Sequence, residues 1–191
     1  MCFFKISLAG DLGSGKTTVG AILKEKFNAE IVSVGKIQRA MAAEMGMDTL
    51  AFNRYQEQHP EFDKILDDKL RAYEKEEGNY IFDSRMAWHF VPSAFSVYMK
   101  ADPIESAKRV LAAAREDESF SSVEEAAESL KKRRASERER YLKFYGVDIT
   151  DLTHYDLVVD TTGKTPQEVA EAIENGWKNK EKRQVTDNAL G

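Results

Sequence analysis

Apolar positions along this chain alternate between short near-continuous runs and helical spacing. Phe3 to Ala9 is a mostly apolar run of the kind that builds a strand buried on both faces. From about Gly15 to Phe27, the residues Val19, Ile22, Leu23 and Phe27 recur at helical intervals and predict an amphipathic helix. "AEIVSVG" (Ala29 to Gly35) predicts a second strand that ends in a turn. Between Lys36 and Glu77 the composition is helical, with breaks near Gly46 and at Pro60. "NYIFDS" (Asn79 to Ser84) and "AFSVYMKA" (Ala94 to Ala101) predict two further strands. "DPIE" has a capping-box pattern, with Asp102 as N-cap, Pro103 at the first helical position and Glu105 reaching back. "SVEE" (Ser122 to Glu125) repeats it and opens a long charged helix to about Tyr145. "YDLVVDT" (Tyr155 to Thr161) predicts a fifth strand. "TPQE" caps a last helix, with Val169, Ile173 and Trp177 on one face. From Lys178 the chain turns polar and loses its period, which predicts a loose tail.

Strands alternating with helices imply an α/β architecture, a five-stranded parallel sheet covered by helices on both faces. The helix-rich stretches Lys36 to Glu77 and Arg115 to Tyr145 then read as inserts over the carboxyl edge of the sheet, where open sheets bind ligands. The expected organisation is one domain over residues 1–178 and a polar tail over 179–191.

Composition narrows the class. The chain has 191 residues, of which 42% are apolar and 32% charged, as expected of a soluble globular domain. A formal net charge of −5 argues against general affinity for nucleic acid or a membrane surface, although basic residues crowd in "KKRRASERER". Cys2 is the single cysteine, so an intramolecular disulfide and a cysteine-rich metal site are excluded, and it is expected to be a buried thiol. The start resembles no signal peptide and no apolar run is long enough to span a bilayer. The expected address is the cytoplasm. The expected partners are small molecules, with neither nucleic acid nor membrane, on a monomer or homodimer.

The chemistry is most specific at the first strand-to-helix turn. "GDLGSGKT" (Gly10 to Thr17) satisfies G-x-x-x-x-G-K-[ST], with a strand before it and a helix after it. Glycines let successive N–H groups point at phosphate oxygens, and the helix N-terminus adds its positive end. Gly10, Asp11, Leu12, Gly13, Ser14, Gly15, Lys16, Thr17 and Thr18 are the expected nucleotide contacts. Lys16 would reach the outer phosphates and Thr17 would offer its hydroxyl to Mg²⁺. A carboxylate at a neighbouring strand end should help to hold that ion; Asp83 is the main candidate and Asp160 a weaker one.

A phosphate loop names the donor, ATP with magnesium, but not the acceptor. Ser33 lies where the second strand ends and Arg39 one helical turn further, placed to clamp a phosphate. Arg85 follows Asp83 directly. Arg133 and Arg140 are seven residues apart and share a helix face with Ser136 and Glu137 between them. Two arginines turned inward would supply charge to a migrating phosphoryl group; turned outward they would be solvated partners of nearby carboxylates. His59, His89 and His154 show no metal-ligand spacing.

Taken together, "GSGKTT", "SVGKIQR", "YQEQHPEFDKILD", "SRMAW", "RRASERERYLKFYGVDITDL" and "YDLVVDT" resemble the cytidylate kinase family of P-loop nucleoside monophosphate kinases, in its archaeal-type branch. The resemblance spans roughly Ile6 to Ile173. It implies a three-layer α/β/α P-loop kinase fold with a helical acceptor-binding insert and a lid, and ATP-dependent phosphorylation of CMP or dCMP. It also implies Ser33, Arg39 and Arg85 as acceptor contacts, and Arg133 and Arg140, with Lys16, as the catalytic cations. Two positions depart from the family pattern: Lys36 stands where an acidic residue is usual, and Met86 where some members place an aspartate that helps to read cytosine. That leaves the base to other groups such as Asp63 or Asp67, or leaves it unread. "GSGKTTVG" is also similar to shikimate-kinase phosphate loops, so a kinase for another small acceptor is one alternative. A non-catalytic ATP-binding regulatory protein is another.

Overall fold

The structure, a computed structural model, describes residues 3–47, 49–59, 61–113 and 120–190. Cys2, Pro60 and the beginning of the expected lid (115–119) lie outside the described residues.

The five apolar runs form five strands: β1 (Lys5–Gly10), β2 (Glu30–Ser33), β3 (Tyr80–Asp83), β4 (Phe95–Lys100) and β5 (Leu157–Asp160). They make one parallel sheet in the order β2-β3-β1-β4-β5. Parallel neighbours cannot be joined by tight turns, so each connection crosses through helix and covers a face of the sheet. On one face, Ile6 and Leu8 of β1 pack with Val19 and Leu23 of α1 (Lys16–Phe27) and with Val169 and Ile173 of α8 (Pro166–Leu190). On the other, Val32 and Phe82 pack with Leu70 of α4 (Glu61–Ala72) and Phe90 of α5 (Ala87–Phe90). A side chain buried as completely as Ile173 stabilises the fold by about 1.5–3 kcal/mol.

The expected caps explain where helices begin. Asp102 accepts the N–H groups of Ile104 and Glu105 at 2.9 and 3.0 Å and starts α6 (Pro103–Ala112). At α7 (Val123–Tyr145), Ser122 accepts Glu125 N–H at 3.1 Å. Glu125, however, reaches one residue further back, to the N–H and hydroxyl of Ser121. The box at α8 closes reciprocally: Thr165 N–H donates to Glu168, and Glu168 N–H donates to the Thr165 hydroxyl. Ala107 and Val110 of α6 interlock with Ala126 and Leu130 of α7, which fixes the long helix beside the phosphate loop.

Two boundaries differ from the sequence pattern. β2 ends at Ser33 and α2 (Val34–Glu44) starts at once, so Gly35 lies in a first helical turn rather than in a loop. α8 runs on to Leu190, through the segment expected to be loose. Beyond Trp177 this helix leaves the core, so its apolar period vanishes while its backbone bonding continues. Lys178 and Lys180 tie it to Glu174 and Asp156 at 2.6 and 2.8 Å. The first insert consists of α2, α3 (Thr49–Gln58) and α4, with the break after α2 at Gly46 as the sequence predicts.

Candidate active site

The phosphate loop leaves β1 at Gly10 and enters α1 at Lys16. Two of its glycines are required by backbone and space together. Gly10 has φ +143° and a Cβ there would lie 2.2 Å from the Met99 carbonyl oxygen; Gly13 has φ +75° and a Cβ would lie 2.6 Å from that of Ser106. β4 and the start of α6 therefore press directly on the loop. The first N–H groups of α1 face its mouth, as an anion site needs.

The Lys16 ammonium folds onto the loop, donating to the Gly10 and Asp11 carbonyls at 3.1 and 2.7 Å. Burial, reinforced by the Arg85 guanidinium, lowers its pKa to about 7, while Asp83, Glu137 and Asp11 oppose the shift. A lysine so poised is short of negative charge, which a polyphosphate would supply. Thr17 and Thr18 are exposed on the first turn of α1. Asp83 ends β3 opposite Ser33, whose hydroxyl donates to it at 3.3 Å. Asp160 instead accepts the N–H of Thr162 in the turn after β5, and is exposed. Thr17 and Asp83 carry hard oxygen donors of the kind a magnesium ion takes. Among the described residues, no cluster of three or more His, Cys, Asp or Glu could hold a metal by itself.

Glu137 of α7 is a hub that the sequence pattern marks only as a neighbour of the arginines. It accepts Arg85 Nε at 3.0 Å and lies 3.7 Å from Arg133. Burial disfavours its charge, yet Arg85, Arg133 and Lys16 hold its pKa below the ordinary glutamate value. Arg85 is thus largely buried and aimed by a carboxylate, whereas Arg133 is about half exposed.

Arg134 is the arginine that the sequence reading passed over. It donates to the Asp11 carboxylate and, at 3.0 Å, to the Tyr98 hydroxyl. Tyr98 donates to Asp11 at 2.7 Å, and the Ala101 N–H donates to the other carboxylate oxygen at 3.0 Å. The second residue of the phosphate loop is therefore buttoned to β4 and to the long helix. The signal was present: Arg134 continues the buried stripe Ala126 and Leu130 at i+8 and i+4.

Arg140, two turns beyond Arg133 on α7, lines a narrow cleft between α2, α4 and α7. Leu66, Leu70, Met86 and Phe90 supply apolar walls, and Gln38, Asp63 and Asp67 supply polar ones. Asp63 attracts Arg140, whose guanidinium also lies 5.2 Å from the centre of the Tyr141 ring. Burial raises the pKa of Asp63, and that of Asp67 to about 6 although Tyr145 donates to it at 2.9 Å. Met86 is an apolar wall of this cleft and offers a base no charged partner. Arg39 is exposed on α2, its guanidinium 3.5 Å from where a Gly35 Cβ would sit. The structure thus brings Lys16, Asp83, Arg85, Glu137 and Arg133 into one charged cluster, with Arg140 in the adjoining cavity and Arg39 at the rim.

The sequence profile of the cytidylate kinase-like family matches residues 5–163. The chain is 40% identical over 159 residues to the cytidylate kinase of Pyrobaculum neutrophilum, covering 82% of this chain and 83% of that one. It is 38% identical over 172 residues to an S-adenosylmethionine-dependent nucleotide dehydratase of Lacinutrix mariniflava, covering 88% of this chain but 35% of that relative. The fold is similar to a shikimate kinase structure from Bacteroides thetaiotaomicron, with a TM-score of 0.59 and 14% identity over 94% of this chain and 99% of that one.

Proposed function

The chain belongs to the cytidylate kinase-like family, and we propose that it transfers the γ-phosphoryl group of ATP to a nucleoside monophosphate, CMP or dCMP, with magnesium bound at Thr17 and Asp83. One observation carries the reading: a triphosphate-type loop with a half-buried lysine faces, across Arg85 and Glu137, a cleft lined by Gln38, Asp63, Asp67 and Arg140. A donor site and an acceptor site therefore open on one charged cluster.

The chemistry asks for positioning more than for covalent help. An acceptor phosphate oxygen attacks the γ-phosphorus in line, the bond to the β–γ bridging oxygen breaks, and ADP leaves. Thr17 and Asp83 would hold the ion, which would supply positive charge to offset that of the phosphates. Gly10 to Thr18 hold the donor phosphates by backbone N–H groups, and Lys16 exchanges its own loop carbonyls for phosphate oxygens. Arg85, already aimed by Glu137, meets the acceptor phosphate, with Ser33 and Arg39 beside it. Arg133, on the same helix face as Glu137, neutralises charge on the transferred group. Arg140 closes on the acceptor from the cavity side.

The match covers only 35% of the dehydratase relative, and its named activity supplies no second reading. The direct test is product identification. With ATP, Mg²⁺ and CMP, the protein should form CDP and ADP in equal amounts. ADP without CDP would overturn the assignment.

A further inference from the structure

The phosphate loop carries a carboxylate of its own. Asp11 follows the first glycine of an anion-binding motif, where a negative charge opposes the phosphates that the loop should attract. Its side chain is only 9% exposed, so water and salt screen that charge poorly. Three groups donate to it: the Tyr98 hydroxyl at 2.7 Å, the Ala101 N–H at 3.0 Å and the Arg134 guanidinium. Tyr98 brings no charge; burial, with Asp11 beside it, raises its pKa and keeps its proton in place. The Ala101 N–H is neutral too, which leaves Arg134 as the cation of the set. Lys16 lies close, but its ammonium rests on the Asp11 backbone carbonyl at 2.7 Å and is the group that donor phosphates would draw away. The Asp11 charge is felt at the site nonetheless, since it opposes the fall in the Lys16 pKa.

The surroundings hold Arg134 in this place. Leu12, the next residue of the loop, packs among Ala107, Val110, Ala126 and Leu130, so the loop and α7 meet through an apolar contact beside the polar one. The guanidinium also reaches past Asp11, its second nitrogen donating to the Tyr98 hydroxyl at 3.0 Å. A planar fork can serve a carboxylate and a hydroxyl at once, which the point charge of a lysine does less well. We propose that Arg134 is a positioning residue for the donor: acting through Asp11 and without touching the nucleotide, it offsets the loop's own negative charge and so lets the loop accept a polyphosphate. The inference rests on the ATP-binding reading of the loop and adds to it a residue of α7 that the motif does not contain.

The dissociation constant of ATP with Mg²⁺, measured by calorimetry on the full chain, tests it in the wild type, Arg134→Gln, Asp11→Asn and the double variant. Left without its cation, Asp11 should weaken binding about tenfold in Arg134→Gln, the order of one poorly screened charge acting on a multiply charged anion. Asp11→Asn instead frees the Arg134 charge and should tighten binding. The double variant, with both charges gone, should return to within about threefold of the wild type. Stability should fall in both single variants, so opposite signs in ATP affinity are what a merely structural contact would not produce. Weaker binding in both single variants alike, or an unchanged affinity in Arg134→Gln, would overturn the proposal. If Asp11→Asn does not fold, Arg134→Lys decides. It keeps the charge, so its affinity should stay nearer the wild type than that of Arg134→Gln, and an equal loss in the two would overturn the role of charge. Wild-type protein that binds no ATP would overturn the donor reading itself, and this inference with it.

Discussion

Lys16 is where residue and function meet most closely. Burial, with the Arg85 guanidinium nearby, outweighs the neighbouring carboxylates and lowers its pKa to about 7 in the free protein. Polyphosphate binding should restore the charged form and draw in a proton. Below about pH 7 the lysine is already protonated, and this group adds no pH dependence to ATP affinity. Above it, each unit of pH up to the raised pKa of the complex should weaken binding by about tenfold. Calorimetry of ATP binding in buffers of different ionisation enthalpy, from pH 6 to 9, checks both the proton uptake and its sign. Lys16→Ala should abolish transfer while leaving the circular dichroism spectrum unchanged; undiminished activity would mean that the loop has another role. Arg140→Ala should lower kcat/KM for the nucleotide acceptor about 10²-fold, as expected for loss of one positioned charge, without unfolding. A change in melting temperature alone would make it a structural ion-pair partner. Lys16, Thr17 and Asp83 were legible because a motif and a strand end place them. Arg134 was not, because arginine is read as solvated unless the phase of its buried neighbours is followed. Glu137 was legible only as a neighbour, since nothing in the sequence shows that it faces Arg85.

At the scale of elements, α7 is joined to the phosphate loop by a polar contact set beside its apolar packing. Arg134 of α7, Asp11 of the loop and Tyr98 of β4 meet in a small, largely buried network. Such networks are non-additive, so Asp11→Asn and Arg134→Gln should each destabilise the protein, and a double-mutant cycle should show coupling of about 0.5–3 kcal/mol. Additive denaturation energies would mean that α7 is held by its apolar stripe alone. Five strands and most helices were legible because parallel strands, buried on both faces, write continuous apolar runs, and because three caps announce helix starts. The end of α8 was not. Past Trp177 its residues are good helix formers without an apolar face, and pattern reading sees only the missing face. The opening of α2 at Val34 was missed for the opposite reason: Gly35 reads as a turn, although it fits a first helical turn.

At the scale of the whole molecule, the phosphate loop and the cleft beside Arg140 are two halves of one site. The sheet delivers the donor loop and Asp83 to one edge, and the inserts bring Arg140 and the acceptor cavity over it. Because ligands bind only the folded state, ATP at about 100 times its dissociation constant should add roughly 2.7 kcal/mol of stability. For a domain of this size that is a rise in melting temperature of roughly 5–11 °C, which Lys16→Ala should lose. The phosphate loop gives the donor and is common to many kinases, including the shikimate kinase whose fold this chain shares. The claim that separates this protein from that group concerns the acceptor. The measurement that tests it most directly is ADP release with CMP, dCMP, UMP, AMP and shikimate as acceptors, each product identified by mass. The account predicts turnover with CMP or dCMP well above the other three and above background hydrolysis. Turnover with shikimate alone, or with none of the five, would contradict it.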